Sequence, residues 1–452
     1  MDFPPVELDE YQKFVWRMNP PRVFFDNSSC ETATLFKVHS STRHDILLEI
    51  VQILTDLDFR IVKAYISSDG DWCMDVFYVT DADGNKITDE ETINSIEESI
   101  AISHKLPRSR AGAIQPTTTT TASKHTMIEL TGRDRPGLMS EISALLAQMH
   151  CNVVAAELWT HNTRVACLLY LTDGCTGGPI EDPVKLVRIK ESLSNVLKGH
   201  LDSKGARMDF VTTGITNSER RLHQMMYADR DYERDEDDLE WGMNEKITVN
   251  NCDEKGYSVV NVECQNRSKL FFDTLCTLTD MQYVVFHGTI YSDGQRAFQE
   301  YYIRHSDGCT LSSEAERRRV IKCLRAAIER RVSEGLRLEL CTSDRVGLLS
   351  DVTRVFREHG LSVTRADVST RGHSAINVFY VTDTLGKPVD SKVIEAVKRE
   401  IGDKLLKVTE VLSCSSLPPP KEEQTRSRFS IGSLFGMPSL VLWNLGLMKS
   451  SS

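Results

Sequence analysis

Four stretches of this chain repeat one another in a single register, so whatever fold the unit adopts must be one that can be built several times over from short lengths of sequence. VFYVTD spans Val76 to Asp81 and returns at Val378 to Asp383, and LLYLTD fills Leu168 to Asp173. At the same offsets, without a gap, a second feature lies upstream of each: STRHDIL (Ser41 to Leu47), RDRPGLM (Arg133 to Met139) and SDRVGLL (Ser343 to Leu349). A weaker fourth copy runs from NRSKLFF (Asn266 to Phe272) into FQEYYIRHSDG (Phe298 to Gly308).

Each copy carries the same periodicities. An alternating apolar strand such as TMIEL (Thr126 to Leu130) or LRLEL (Leu336 to Leu340) precedes the loop. About three helical turns follow, with apolar positions at helical spacing, as in Leu138, Ile142, Leu145 and Leu146. Two β-rich runs joined by a polar turn come next, then a charged second helix such as VKLVRIKESLSNVL (Val184 to Leu197) and a short last strand. The predicted unit is therefore βαββαβ, an α+β ferredoxin-like arrangement with an antiparallel sheet and both helices on one face. The predicted domains are 34–105, 126–205, 258–334 and 336–412, with linkers at 106–125 and 206–257 and a tail at 413–452. Because Arg331 to Leu336 leaves almost no connector, the third and fourth units are expected to form a rigid pair. The acidic run between Ala228 and Trp241, which ends a helical patch in the second linker, is read as solvated surface rather than a partner-binding patch.

With 65 acidic against 54 basic residues, a net charge of −11 argues against nucleic acid as a partner. Twelve cysteines without a CxxC pair indicate free thiols in a reducing compartment and offer no metal site. The start, MDFPPVELDEYQKF, lacks the basic and apolar regions of a signal peptide, so the expected location is the cytoplasm, with the nucleus open to it. The uncharged tail segment Phe429 to Met448 is nominally long enough for a bilayer, but Gly432, Gly436, Pro438 and Asn444 make a docking segment the better expectation than an anchor. No GxxxxGK[ST], GxSxG or HExxH occurs, so no enzyme activity, catalytic residue or cofactor is expected.

A βαββαβ unit with a D-R-x-G-L loop after its first strand resembles the ACT domain, a small-molecule-binding regulatory module. Four tandem copies without a catalytic domain, together with ERRLHQMMYADRDYE (Glu219 to Glu233), resemble the plant ACT-domain-repeat (ACR) proteins. The resemblance implies an amino-acid ligand held between this loop and a neighbouring unit, self-association or partner binding through ACT pairing, and, by analogy with bacterial uridylyltransferases, glutamine as the ligand to test first.

Residue chemistry is compatible with that implication. The first turn of a helix presents unpaired N–H groups and a partial positive charge to a carboxylate. Gly137 permits close approach, Asp134 could accept from an ammonium, and Asn152 could both donate and accept. In the second unit the resemblance carries the site to Arg133, Asp134, Gly137, Leu138 and Asn152. In the fourth it carries it to Asp344, Gly347, Leu348 and Ser362. The first and third units lack the loop glycine and are expected to serve as pairing partners. The competing interpretation is purely structural: aspartate before a helix as a cap, glycine as a turn former, and the whole chain as a protein-binding scaffold. The arginine that recurs at Arg43, Arg135, Arg267 and Arg345 is assigned to a salt bridge, since a cation at a helix N-terminus needs an offsetting contact.

Overall fold

Apolar residues alternate along the strands and recur every three or four positions along the helices, so each repeat buries one face of a sheet under one face of two helices. The computed structural model describes residues 21–41, 46–69, 72–105, 124–199, 205–211, 217–233, 245–331 and 335–410. The first repeat contains β1 (Arg22–Asp26), β2 (Thr34–Ser41), α1 (Ile46–Asp56), β3 (Arg60–Asp69), β4 (Trp72–Thr80) and α2 (Glu90–Lys105). The second contains β5 (Thr126–Arg133), α3 (Leu138–Gln148), β6 (Cys151–His161), β7 (Arg164–Asp173), α4 (Pro183–Lys198) and β8 (Arg207–Val211). A separate helix, α5 (Ser218–Ala228), precedes the third repeat: β9 (Lys246–Cys252), β10 (Tyr257–Gln265), α6 (Leu270–Asp280), β11 (Tyr283–Ser292), β12 (Arg296–His305) and α7 (Glu314–Glu329). The fourth consists of β13 (Leu336–Ser343), α8 (Leu348–Glu358), β14 (Leu361–Arg371), β15 (Ser374–Asp383), α9 (Ser391–Ile401) and β16 (Leu406–Glu410).

The α+β class and the antiparallel sheets are as predicted, but the expected order of elements is corrected in two of the repeats. Only the second and fourth repeats are βαββαβ; in the first and third the outer strand comes first, as β1 and β9. That edge lies beside the first strand of the core, and the chain can supply it from either side. In these two repeats a preceding hairpin partner does so. Hence β9 and α5 fall in the segment read as a linker, β8 lies just past the second predicted domain, and the first repeat begins before residue 34.

Repeat pairing also differs from expectation. The first and third repeats share one eight-stranded sheet, β1-β2-β4-β3-β11-β12-β10-β9, and the second and fourth share another, β16-β13-β15-β14-β6-β7-β5-β8. Each join is made by the second core strand of either repeat, the edge left free within a single unit. β3 meets β11 from Lys63–Tyr291 to Ser67–His287, and β6 meets β14 from Ala155–Ser369 to Trp159–Arg365. A register shift recurs near Val62, Val154, Phe286 and Thr364, so the repeat extends to the bulge as well as the strands. Pairing is thus set by which edge is free rather than by closeness in sequence. The short step from third to fourth repeat carries the chain between layers.

The helix-free face of the second sheet is covered. Trp159, Ala166 and Leu168 pack against Leu222, Met225 and Met226 of α5. Around this contact lies an ionic hub that draws in Asp231, so this member of the run read as solvated surface is buried instead. Arg330 donates twice to Asp231 at 2.6 Å, with side chains 1% and 0% exposed. His223 bridges Asp273 at 2.8 Å and Arg330 at 3.0 Å. Arg331 pairs with Asp273 at 2.7 Å and Glu219 at 2.9 Å and lies 5.0 Å from the centre of the Trp159 ring. Burial alone would raise the Asp231 and Asp273 carboxyls, but the adjacent arginines hold both well below the ordinary range. Burial opposes charge on His161 too, yet hydrogen bonds to Asp231 and Glu329 raise its pKa. The acidic residues 234–244 lie outside the described residues, as does the tail from 411.

Candidate functional site

The first-strand-to-helix loops of the second and fourth repeats are built alike. Asp134 N–H donates to Thr163 O, and Asp344 N–H to His373 O, both at 2.8 Å, tying each loop to the turn of its own hairpin. Gly137 and Gly347 then start the helices at φ 82° and 85°, a left-handed conformation that suits glycine, and no side chain caps α3 or α8. Lys269 takes the equivalent position in the third repeat at φ 60° without glycine, and its Nζ is held by Glu219.

The recurring arginines make salt bridges across the first helical turn. Arg135 donates to both oxygens of Glu141 at 2.6 Å and to Val196 O at 3.0 Å. Arg267 donates to Asp273 at 2.6 Å and to Ile328 O at 2.9 Å, and Arg345 pairs with Asp351. These are the acid partners expected from the helix-dipole argument; Arg43 lies outside the described residues.

Because the second and fourth repeats lie side by side, each loop faces the other repeat. The residues assigned to the second unit therefore separate into two clefts. In one, Asp344, Gly347 and Leu348 of the fourth repeat stand with Cys151, Asn152 and Ala147 of the second, and Asn152 Nδ2 is 3.4 Å from Asp344 Oδ2. In its twin, Asp134, Gly137 and Leu138 stand with Phe356, Leu361 and Val363 of the fourth repeat. Ser362 is half-buried beside this twin without lining it, and Arg133 is exposed and lines neither cleft. The expected grouping of Arg133, Asp134, Gly137 and Asn152 is thus corrected: Asn152 serves the opposite loop.

The twins are not equivalent. Over Gly137 lies the side chain of Arg357, whose Cδ would be 3.0 Å from a Cβ placed there. The corresponding residue over Gly347 is Ala147, whose Cβ stands 4.0 Å from the same construction. An arginine stem therefore stands against Gly137 of the second repeat's loop, while a methyl group leaves more room beside Gly347 of the fourth. Burial pushes the Asp134 carboxyl up to about 6, opposed by the N–H of Arg135. The two clefts are of similar size, with about 350 Å³ of space beside Gly347 and about 330 Å³ beside Gly137, much of it thin space between side chains or open to solvent. A ligand larger than water would require the walls to part.

Deep in the open cleft is a residue that motif reasoning missed. Asn377, on β15, is 1% exposed and lines the cleft, and its Oδ1 has no hydrogen-bond partner. Residues at the same register in the other repeats, opposite Val38, Leu130 and Val262 as Asn377 is opposite Leu340, are Asp75, Cys167 and Gln299. Polar side chains at three of four equivalent core positions were a readable signal. Among the described residues, no group of three or more His, Cys, Asp or Glu is placed to hold a metal ion, and no helix is long and apolar enough to cross a membrane.

The family profile for the ACR N-terminal ACT domain matches residues 29–106, and that for the ACT domain matches 126–173 and 336–402. The ACT domain-containing protein ACR3 of Arabidopsis thaliana is 55% identical over 408 residues, spanning 88% of this chain and 89% of the relative. ACR4 of the same plant is 51% identical over 459 residues, spanning 98% of each. A shorter stretch of 79 residues is 39% identical to a bifunctional uridylyltransferase/uridylyl-removing enzyme of Azospirillum brasilense, covering 18% of this chain and 8% of that enzyme.

Proposed function

The chain belongs to the ACR family of ACT-domain-repeat proteins, and on that premise we propose that it is an amino-acid-binding regulatory protein whose ligand occupies the open cleft between the second and fourth repeats. The observation that carries this reading is the pairing of an uncapped helix N-terminus at Gly347 with Asn152 and Asp344 from the two sides of one seam. The α-carboxylate would meet the first-turn N–H groups of α8, and the ammonium would meet Asp344. Glutamine is the first candidate, from the uridylyltransferase likeness.

The seam suggests how occupancy would be transmitted. Asn152 is the second residue of β6, and farther along the same strand Glu157, Trp159 and His161 reach into the hub. Arg365 of β14 also lies over Trp159, 5.6 Å from its ring centre. A ligand that alters how β6 and β14 sit together would therefore act on the contact between the two sheets, and through it on partner binding. The scaffold reading retains one observation in its favour: the helix-free face of the first sheet exposes Phe24, Tyr65, Trp72 and Met74.

Titration of the full chain with the twenty amino acids, followed by melting temperature and calorimetry, tests the proposal. A selective ligand should raise the melting temperature by mass action on the folded state. Asp344→Ala should weaken it by about tenfold or more, the loss of a charge-assisted contact. Asp134→Ala, in the covered twin, should leave it nearly unchanged. No response to any amino acid would favour the scaffold.

A further inference from the structure

The orphaned carboxamide on the cleft floor adds a selector to the site. Resting on the cleft reading above, we propose that Asn377 reads the ligand's side chain. The open cleft would then select amino acids whose short, uncharged side chain bears a hydrogen-bond donor, a hydroxyl or a carboxamide, over aliphatic side chains of the same shape.

The first argument is energetic. A buried amide oxygen without a partner costs about 1–3 kcal/mol, and native interiors rarely tolerate one without a use. The fold itself does not call for an amide here. The second repeat places Cys167 at the same register, 1% exposed in its apolar core. Where the third repeat places a polar residue there, it is satisfied: Thr274 and Tyr301 each donate to Gln299 Oε1 at 2.9 Å. Asn377 has neither solution; Asp75, at this register in the first repeat, also keeps an unpartnered oxygen, and what singles out Asn377 is that it lines the cleft between two repeats.

Its position in the cleft gives the second argument. Asp344, Asn152 and the start of α8 stand around the loop and account for the two charged ends of an amino acid. Val368, Leu349 and Ala375 give apolar walls, and of the hydroxyls that line the cleft, Ser143, Ser350 and Thr370, the buried one, Ser143 Oγ, is already engaged with Thr353 at 2.8 Å and Met139 O at 2.8 Å. A side chain that reaches Asn377 must supply a donor. An aliphatic one would displace water and leave the oxygen unpaired, and an ionised carboxylate would set acceptor against acceptor.

Calorimetric titration of the full chain with isosteric pairs, L-threonine against L-valine and L-asparagine against L-leucine, tests this. The polar member of at least one pair should bind about tenfold or more tightly than its partner. Asn377→Leu should abolish or reverse that preference. Asn377→Cys, which copies the second repeat's residue, provides a second folded variant, and both should melt no lower than the wild type because the orphan is gone. Equal binding within each pair, or an unchanged preference in both variants, would overturn the selector while leaving the cleft reading intact. If no amino acid binds the wild type, both proposals fall together.

Discussion

Arg330→Ala is expected to lower the free energy of unfolding by about 3–5 kcal/mol, because it leaves Asp231 charged and buried with His161 in place of a bidentate guanidinium. The guanidinium sits where α5 and α7 meet the back of the second sheet, 1% exposed, and its bidentate bond offsets the cost of burying the carboxylate. Removing both charges, as Arg330→Met with Asp231→Leu, should recover part of the loss, since apolar residues of similar size carry no desolvation penalty. Chemical denaturation of the three proteins measures both values. A loss below about 1 kcal/mol for the single variant would place the hub at an exposed surface instead. The hub also predicts acid sensitivity. Asp231 and Asp273 have folded pKa values held below their unfolded ones. Their contribution is therefore complete above the unfolded carboxylate range and disappears as pH falls through the folded values.

Asp75→Asn should act in the opposite direction and raise stability at pH 8 by about 2–4 kcal/mol. This carboxyl is 3% exposed, its Oδ1 has no partner, and burial raises its pKa to about 7, only partly opposed by the backbone N–H of Ser67. A folded pKa above the unfolded one means that folding favours the protonated acid. Its stabilising contribution is complete below about pH 4 and is lost as pH rises toward and through about 7. The wild type should thus weaken between pH 4 and 8 from this group, and the asparagine variant should show a flatter profile over that interval. Unfolding free energies at several pH values decide the matter; an asparagine variant that is less stable at pH 8 would show that Asp75 is ionised and usefully paired.

Much of this architecture was legible because one pattern occurs four times. The loop, the long strand ending in VFYVTD or LLYLTD, and the helical spacing of Leu138, Ile142 and Leu146 mark the core of the unit, though not that its outer strand comes first in the first and third repeats. What sequence could not convey was which edges join. β3, β6, β11 and β14 all read as ordinary half-buried strands, and nothing local marks them as seam strands. The same gap explains the divided site. Asn152 and Gly137 lie close together in sequence, but a side-by-side pair sends each to the other repeat's residues. The contrast between Ala147 and Arg357 was present in the alignment of the repeats, and it acquired meaning only once the two helices were seen to face each other's loops. Charge runs misled for a related reason. Arg220, Arg330, Asp231 and Glu219 look like surface residues until the back of the second sheet is seen to need a cover.

Transplanting the cover from the closed cleft to the open one tests the central claim most directly. Ala147→Arg puts over Gly347 the side chain that Arg357 puts over Gly137, at a helix position where arginine is well tolerated. Calorimetric titration of wild type and variant with the amino acid that stabilises the wild type should show binding in the first and its loss in the second, with the two melting alike in the absence of ligand. Undiminished binding by Ala147→Arg would contradict the placement of the ligand at this seam.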